Sequence, residues 1–300
     1  MYESFFNLND KPFSIQPDPD YMFWAHGHSM AYAMIEYGIM NRAGFTVITG
    51  EIGSGKTTLV RHLLNQLGED VTVGLVSNAQ DKGGELLHWV LMAFGKPYEE
   101  KPHVALHGQF VDFLIEEYAA GRRVILIVDE AQNLGPDTLE ELRMLSNINA
   151  DKDQLLQLIL VGQPQLRDLL KRPELIQFAQ RIASDFHLRP LDQAEVQDYI
   201  EHRLRLAGAR HRIFTNRACT LIAEATNGIP RLVNILCDTA LVYGFSSDQR
   251  RIDTDIVEEV LHDKSEYGIF TFNDSNRVLN TQEEPDPATR SSRIVSLDRD

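Results

Sequence analysis

The sequence predicts an α/β protein: a parallel five-stranded sheet sandwiched by helices, followed by a small all-helical domain. Three observations carry that reading. Five short, apolar, β-rich runs alternate with helical patterns up to about residue 190, and uniformly apolar strands of this kind belong to sheets covered on both faces. A glycine-rich segment, "GEIGSGKT", joins the first run to a helical one. Beyond Pro190 the β-runs stop and only helical periodicity continues.

Each element follows from its own residues. Residues 1–28 form an arm rich in aromatics and proline (Phe5, Phe6, Phe13, Tyr21, Phe23 and Trp24, with Pro12, Pro17 and Pro19). Prolines at that density oppose a long helix, so the arm is expected to be extended and pinned by its aromatic anchors. Residues 29–190 read as the α/β domain. A helix over 29–41 leads to a strand over 44–50, a helix over 56–67 and a strand over 71–77. Helices over 84–94 and 104–120 precede a strand over 123–128. A helix over 136–148, a strand over 155–161, a helical pair and a last strand over 183–188 complete it. Residues 191–266 carry four helical patterns, over 193–207, 216–226, 230–245 and 254–264. From residue 267 to 300 the chain is polar and loses its period, so this tail is expected to be disordered or ordered by a partner.

Composition narrows the function classes. The chain has 300 residues, 43% hydrophobic and 24% charged, which is ordinary for a globular protein with a sizeable core. No apolar run approaches the roughly 18 residues of a spanning helix, and the N-terminus lacks the pattern of a secretory signal. The two cysteines, Cys219 and Cys237, lie in apolar helical patterns without metal spacing, so two buried, reduced thiols in a cytoplasmic protein are expected. A net charge of −15 counts against nucleic acid as the main partner unless basic residues cluster on one face.

Three segments carry chemistry. "GEIGSGKT", Gly50 to Thr57, fits G-x-x-x-x-G-K-[ST] between a predicted strand and a predicted helix, the context of a phosphate-binding loop. Gly50, Gly53 and Gly55 let the backbone curl so that the N–H groups of Glu51, Ile52, Ser54 and their neighbours turn inward at a phosphate. The helix start adds its dipole. Lys56 is expected to reach the β- and γ-phosphates, Thr57 to ligate Mg²⁺, and Thr58 to line the loop's helical end. In "RVILIVDEAQNL", four apolar β-formers precede adjacent acids, which places Asp129 and Glu130 at the carboxyl edge of a buried strand, where open α/β sheets bind ligands. Asp129 is a Mg²⁺ ligand candidate and Glu130 the base that polarises an attacking water. The acid pair favours hydrolysis over phosphorylation of a small molecule. In "LQLILVGQP", Gln163 ends the next strand, where its amide can meet the γ-phosphate or the water.

A phosphate loop, a DE-type second motif, a polar residue ending the following strand and an appended helical lid together resemble the AAA+ ATPases, P-loop NTPases that bind and hydrolyse ATP with Mg²⁺. Within the lid, "NGIPRLVNILCD" resembles their sensor-2 motif, which implies that Arg231 reaches the γ-phosphate; Gly228 and Pro230 suit a helix start that fixes Arg231 in a first turn. Ring-forming members also supply an arginine to the neighbour's site, and "FAQRIASDFHL" offers Arg181 as that finger, with Arg172 a second choice. The arm "MYESFFNLNDKPFSIQPDPDYMFW", with "VDEAQNL", "LVGQPQL" and "GIPRLVNILCD", is similar to the general secretion pathway protein A type, and most to its stand-alone branch associated with exosortase and exopolysaccharide clusters. The likeness covers about residues 1–265. Secretion members that add a membrane span and a peptidoglycan-binding part differ from this chain. The resemblance implies a cytoplasmic ATPase that self-associates into a ring, most simply a hexamer, and acts on a secretion or polysaccharide-export protein. Its location would be the cytoplasm, with peripheral association at the inner face of the inner membrane compatible with it. Two alternatives share the core: a DNA-associated transposition helper or initiator, which would need a basic stripe or an added DNA-binding domain, and a slow nucleotide-dependent scaffold or switch.

Overall fold

The computed structural model describes residues 1–77, 85–99, 101–150, 153–268 and 272. The expected disordered tail lies outside these apart from residues 267, 268 and 272, as does the first residue of the helix expected over 84–94. The sheet has the five expected strands, all parallel: β1 (Phe45–Gly50), β2 (Val71–Val76), β3 (Arg123–Val128), β4 (Leu156–Gly162) and β5 (Ile182–Leu188), in the order β2-β3-β4-β1-β5. Central β1 and β4 are buried along their whole length, whereas the edge strands β2 and β5 alternate with exposed positions. That contrast is why the central runs are continuously apolar in sequence.

Successive side chains point to opposite faces of a strand, so each run builds two cores. On one face Phe45, Val47, Leu126, Leu158 and Leu160 pack with residues of α3 (Leu86–Ala93), α4 (His103–Ala119), α5 (Pro136–Leu145) and α6 (Pro164–Leu170). On the other, Ile48, Ile125, Ile127 and Ile159 pack with α1 (His26–Met40) and α2 (Lys56–Gln66). The parallel register sets Gly50 beside Leu188 and Thr49 beside Gly162. The carboxyl ends of β1, β4 and β5 therefore lie at one sheet edge, where the glycine loop begins.

Four helices follow: α7 (Gln193–Leu206), α8 (Asn216–Thr226), α9 (Pro230–Ser246) and α10 (Thr254–Tyr267). Each start has a visible cause. Asp192 and Glu195 form a reciprocal capping box on α7, Thr215 and Asp253 cap α8 and α10, and Pro230 opens α9 at its first turn. The expected helix over 136–148 ends earlier, at Leu145, and the one expected over 29–41 begins at His26.

The arm is less extended than its prolines suggest, holding one helical turn at Glu3–Phe6 and a 3₁₀ turn at Pro19–Tyr21. It is pinned by aromatics as expected, but its anchors lie in the helical domain. Tyr2, Phe6, Leu8 and Phe13 are members of the same core as Val196, Ile222, Val233 and Val257. Phe13 meets Phe214 edge-on, Phe5 meets Phe245 and Phe23 meets Tyr199. Arg203, buried inside this core, donates to the carbonyls of Pro12 and Ser14 and to the Tyr199 hydroxyl, so its charge lies among acceptors. Both cysteines are buried and unpaired, and burial raises both thiol pKa values, Cys219 to about 12. Among the described residues no helix is long and apolar enough to cross a membrane.

Candidate functional site

The loop between β1 and α2 curls because Gly53 and Gly55 take left-handed backbone at φ +80° and +100°, a region costly to residues with a Cβ. Inside the curl the Lys56 ammonium, 6% exposed, donates to the carbonyls of Gly50 and Glu51 at 2.8 and 2.9 Å. An ammonium has three N–H bonds, so one remains for a ligand. Burial lowers the Lys56 pKa from its ordinary value, against the opposing pull of Glu130, Asp129 and Glu51. The neighbouring Thr57 hydroxyl points at Asp129 Oδ2, 3.3 Å away, while Asp129 Oδ1 accepts the Glu130 backbone N–H at 2.9 Å. Burial, then the adjacent Glu130 charge, raises the Asp129 pKa despite those hydrogen bonds. Two acids beside a glycine loop that encloses an ammonium match an anion carried by a divalent cation, and a hydroxyl and a carboxylate are the hard oxygen donors that Mg²⁺ takes alongside phosphate. Within the loop the Ser54 N–H, expected to face the phosphate, donates to the Glu51 carbonyl at 3.1 Å.

Glu130 holds a left-handed backbone, φ +55°, unusual for a residue with a Cβ. Its side chain accepts from the Gln132 and Gln163 amides, at 2.6 and 3.0 Å, and the Gln163 backbone N–H donates to Gln132 Oε1 at 2.9 Å. Gln163 thus lies against Glu130, with its amide bonded to the carboxylate. Gln132 is a member of this cluster that carried part of the "VDEAQNL" resemblance but was given no role of its own.

The lid closes the far side. Arg231 lies in the first turn of α9, where its backbone N–H donates to the Gly53 carbonyl at 3.1 Å. The contact is tight: a Cβ on Gly53 would lie 2.5 Å from Arg231 Cβ. The cleft between loop and lid is lined by Lys56, Thr57, Glu130 and Arg231, and continues to a wall made by arm residues Gln16 and Tyr21. The arm thus forms part of the site, which its composition did not announce. His28 lies beneath the loop and was also missed, because a lone histidine at a helix start carries no motif.

Arg181 is not brought to this cleft. It precedes β5, whose start pairs with Phe45 at the opposite edge of the sheet, and six residues of strand separate it from the loop edge by about 20 Å. Its guanidinium donates to the Asn147 side chain and to the Ser146 hydroxyl. Arg172 is exposed and pairs with Glu174.

A glycine loop between strand and helix, an acid pair ending the strand two places along the sheet and a helical lid whose first turn rests on the loop define the AAA+ class of P-loop proteins. Residues 39–170 match the AAA domain family, and the chain resembles AAA+ proteins of the general secretion pathway protein A type. It is 40% identical over 253 residues, 84% of its length, to general secretion pathway protein A of Aeromonas hydrophila, of which the match covers 46%. The chain thus spans less than half the length of that relative. Among solved structures it is similar in fold to the Aeropyrum pernix ORC2 protein in its ADP form, at TM-score 0.59 and 18% identity, over 82% of this chain and 70% of that one. The Thermotoga maritima RuvB branch migration motor gives TM-score 0.53 at 20% identity, over 85% and 74% of the two chains.

Proposed function

We propose that the chain binds ATP with Mg²⁺, hydrolyses it, and couples nucleotide state to assembly or remodelling of a protein partner in secretion or exopolysaccharide export. The observation that carries this reading is the seating of Arg231 on Gly53 across from Glu130, so that one cleft touches loop, Glu130 and lid together. In this reading residues 50–58 (Gly50, Glu51, Ile52, Gly53, Ser54, Gly55, Lys56, Thr57 and Thr58) cradle the phosphates, and Lys56 turns its remaining N–H toward them. Thr57 and Asp129 hold the Mg²⁺, which when bound neutralises phosphate charge. Glu130, steadied by Gln132 and Gln163, takes up a proton from the attacking water. Arg231 reports the γ-phosphate to the lid.

Arg181, about 20 Å from its own chain's cleft, is assigned to a neighbouring subunit's site in a ring, most simply a hexamer. Its hold on Ser146 and Asn147 supports a fixed outward position. The place of action is the cytoplasm, at the inner face of the inner membrane where an export partner would be met; a charge of −15 speaks against nucleic acid as that partner.

One experiment tests the chemistry. Glu130→Gln is expected to keep Mg-ATP affinity while phosphate release falls by about 10²–10⁴-fold. Mixed with Arg181→Ala protein it should regain part of the turnover, because some mixed interfaces hold an intact acid and an intact arginine. Full turnover in Glu130→Gln removes that residue from the mechanism, and no recovery at any ratio removes Arg181. Glu130→Gln held in ATP should also retain export-system proteins, whereas retained DNA would overturn the choice of partner.

A further inference from the structure

We infer that His28 is a positioning residue that sets the phosphate loop from below and ties it to the lid, an assignment that rests on the nucleotide-site reading above. His28 is 5% exposed, and its Nε2 lies 2.9 Å from the Ser54 carbonyl oxygen. A carbonyl only accepts, so the proton is on Nε2. That single bond orients the loop. The Ser54 carbonyl and the Gly55 N–H belong to one planar trans peptide and point in opposite directions. Drawing the carbonyl down onto His28 therefore turns the Gly55 N–H up into the cradle. Among the described residues this is the ring's one hydrogen bond, since Nδ1 is buried without a partner. The fit leaves no slack, because a Cβ on Gly55 would come within 2.9 Å of Nε2.

The same turn of helix reaches the lid. Two residues earlier the His26 backbone N–H donates to Glu195 Oε1 at 3.2 Å, and the other oxygen of that carboxylate accepts the Asp192 N–H at 3.0 Å in the α7 capping box. Residues 26–28 thus hold the start of a lid helix with one end and the phosphate loop with the other. A lid movement that displaces Glu195 pulls on the turn that carries His28. Burial lowers the imidazole pKa, which favours the neutral ring, and the Nε2–H donor is present in either protonation state.

The test compares H28L, which fills the space without a donor, with H28Q, whose amide carries an N–H at a similar reach. Titration with Mg-ATP is expected to show affinity lowered at least about tenfold in H28L, the cost of one buried carbonyl left without its donor. H28Q should return to within about threefold of the parent. In the nucleotide-free parent protein, the ¹⁵N shifts of the His28 ring should show the neutral Nε2–H tautomer, assigned by its disappearance in H28Q. Parental affinity in H28L, equal loss in both variants, or an Nδ1–H tautomer each overturns the inference. If H28L does not fold, the tautomer and H28Q still decide it. Failure of the parent itself to bind Mg-ATP, or binding unaffected by Lys56→Ala, would instead sink the nucleotide-site reading.

Discussion

Replacing Gly53 by alanine probes the contact between loop and lid directly. The new Cβ carries two separable costs. The left-handed backbone at φ +80° costs a residue with a Cβ roughly 1–2 kcal/mol. The Cβ would also stand 2.5 Å from Arg231 Cβ, closer than real atoms approach, so the first turn of α9 must lift. Lifting breaks the 3.1 Å bond from the Arg231 N–H to the Gly53 carbonyl, worth about 1 kcal/mol net. Together these predict closure weakened by about 2–3 kcal/mol, or about 30- to 150-fold in nucleotide affinity. Arg231→Gly removes the opposing Cβ, so in that background only the backbone strain remains. A double-mutant cycle, read by titrating a fluorescent ATP analogue with Mg²⁺ into the four proteins, should show coupling of about 1 kcal/mol between the positions. Additive losses, or Gly53→Ala binding within about threefold of the parent, would refute the reasoning.

Two further outcomes follow from the fold. Phe13→Ala removes a ring that is 2% exposed and lies 6.0 Å from the Phe214 ring; it should destabilise the helical domain by about 3–5 kcal/mol in denaturant unfolding, and a loss under about 1 kcal/mol would show that the arm is not part of that core. Glu117, bonded to Arg122 and to the Thr72 hydroxyl, has its pKa pushed down to about 2 from 4.5. A depressed carboxylate contributes stability above its unfolded pKa and loses it as pH falls through the folded one. Stability should therefore drop between about pH 4.5 and 2, and Glu117→Gln should flatten that limb; an unchanged acid slope would remove the pair from the explanation.

What the sequence disclosed, it disclosed through local chemistry. The strands were legible because a central parallel strand buries every residue, as β1 and β4 do. The phosphate loop was legible because only glycine accepts the backbone of Gly53 and Gly55. The arm's aromatics were visible as anchors, but their destination was not, since Phe13 meets Phe214 across some two hundred residues and nothing in "NLNDKPFS" encodes that distance. Gln132 and His28 were hidden for another reason. Their parts in the site come from where one amide and one ring happen to point, and direction is a property of the folded backbone. Arg181 lies between these cases: its position before β5 was legible, and the neighbouring-subunit surface proposed for it lies outside a single chain.

Because the first residues of the chain are packed inside the last helices, the polypeptide passes between the two bodies twice, once on entering α1 and once on leaving β5. The two passages lie side by side, with a Cβ on Gly27 falling 3.4 Å from Leu188. A single linker would let the lid swivel in any direction. Were the lid to open, two adjacent linkers would act like the paired leaves of a door hinge, restricting it to swinging about one line and returning it to the loop in the same register.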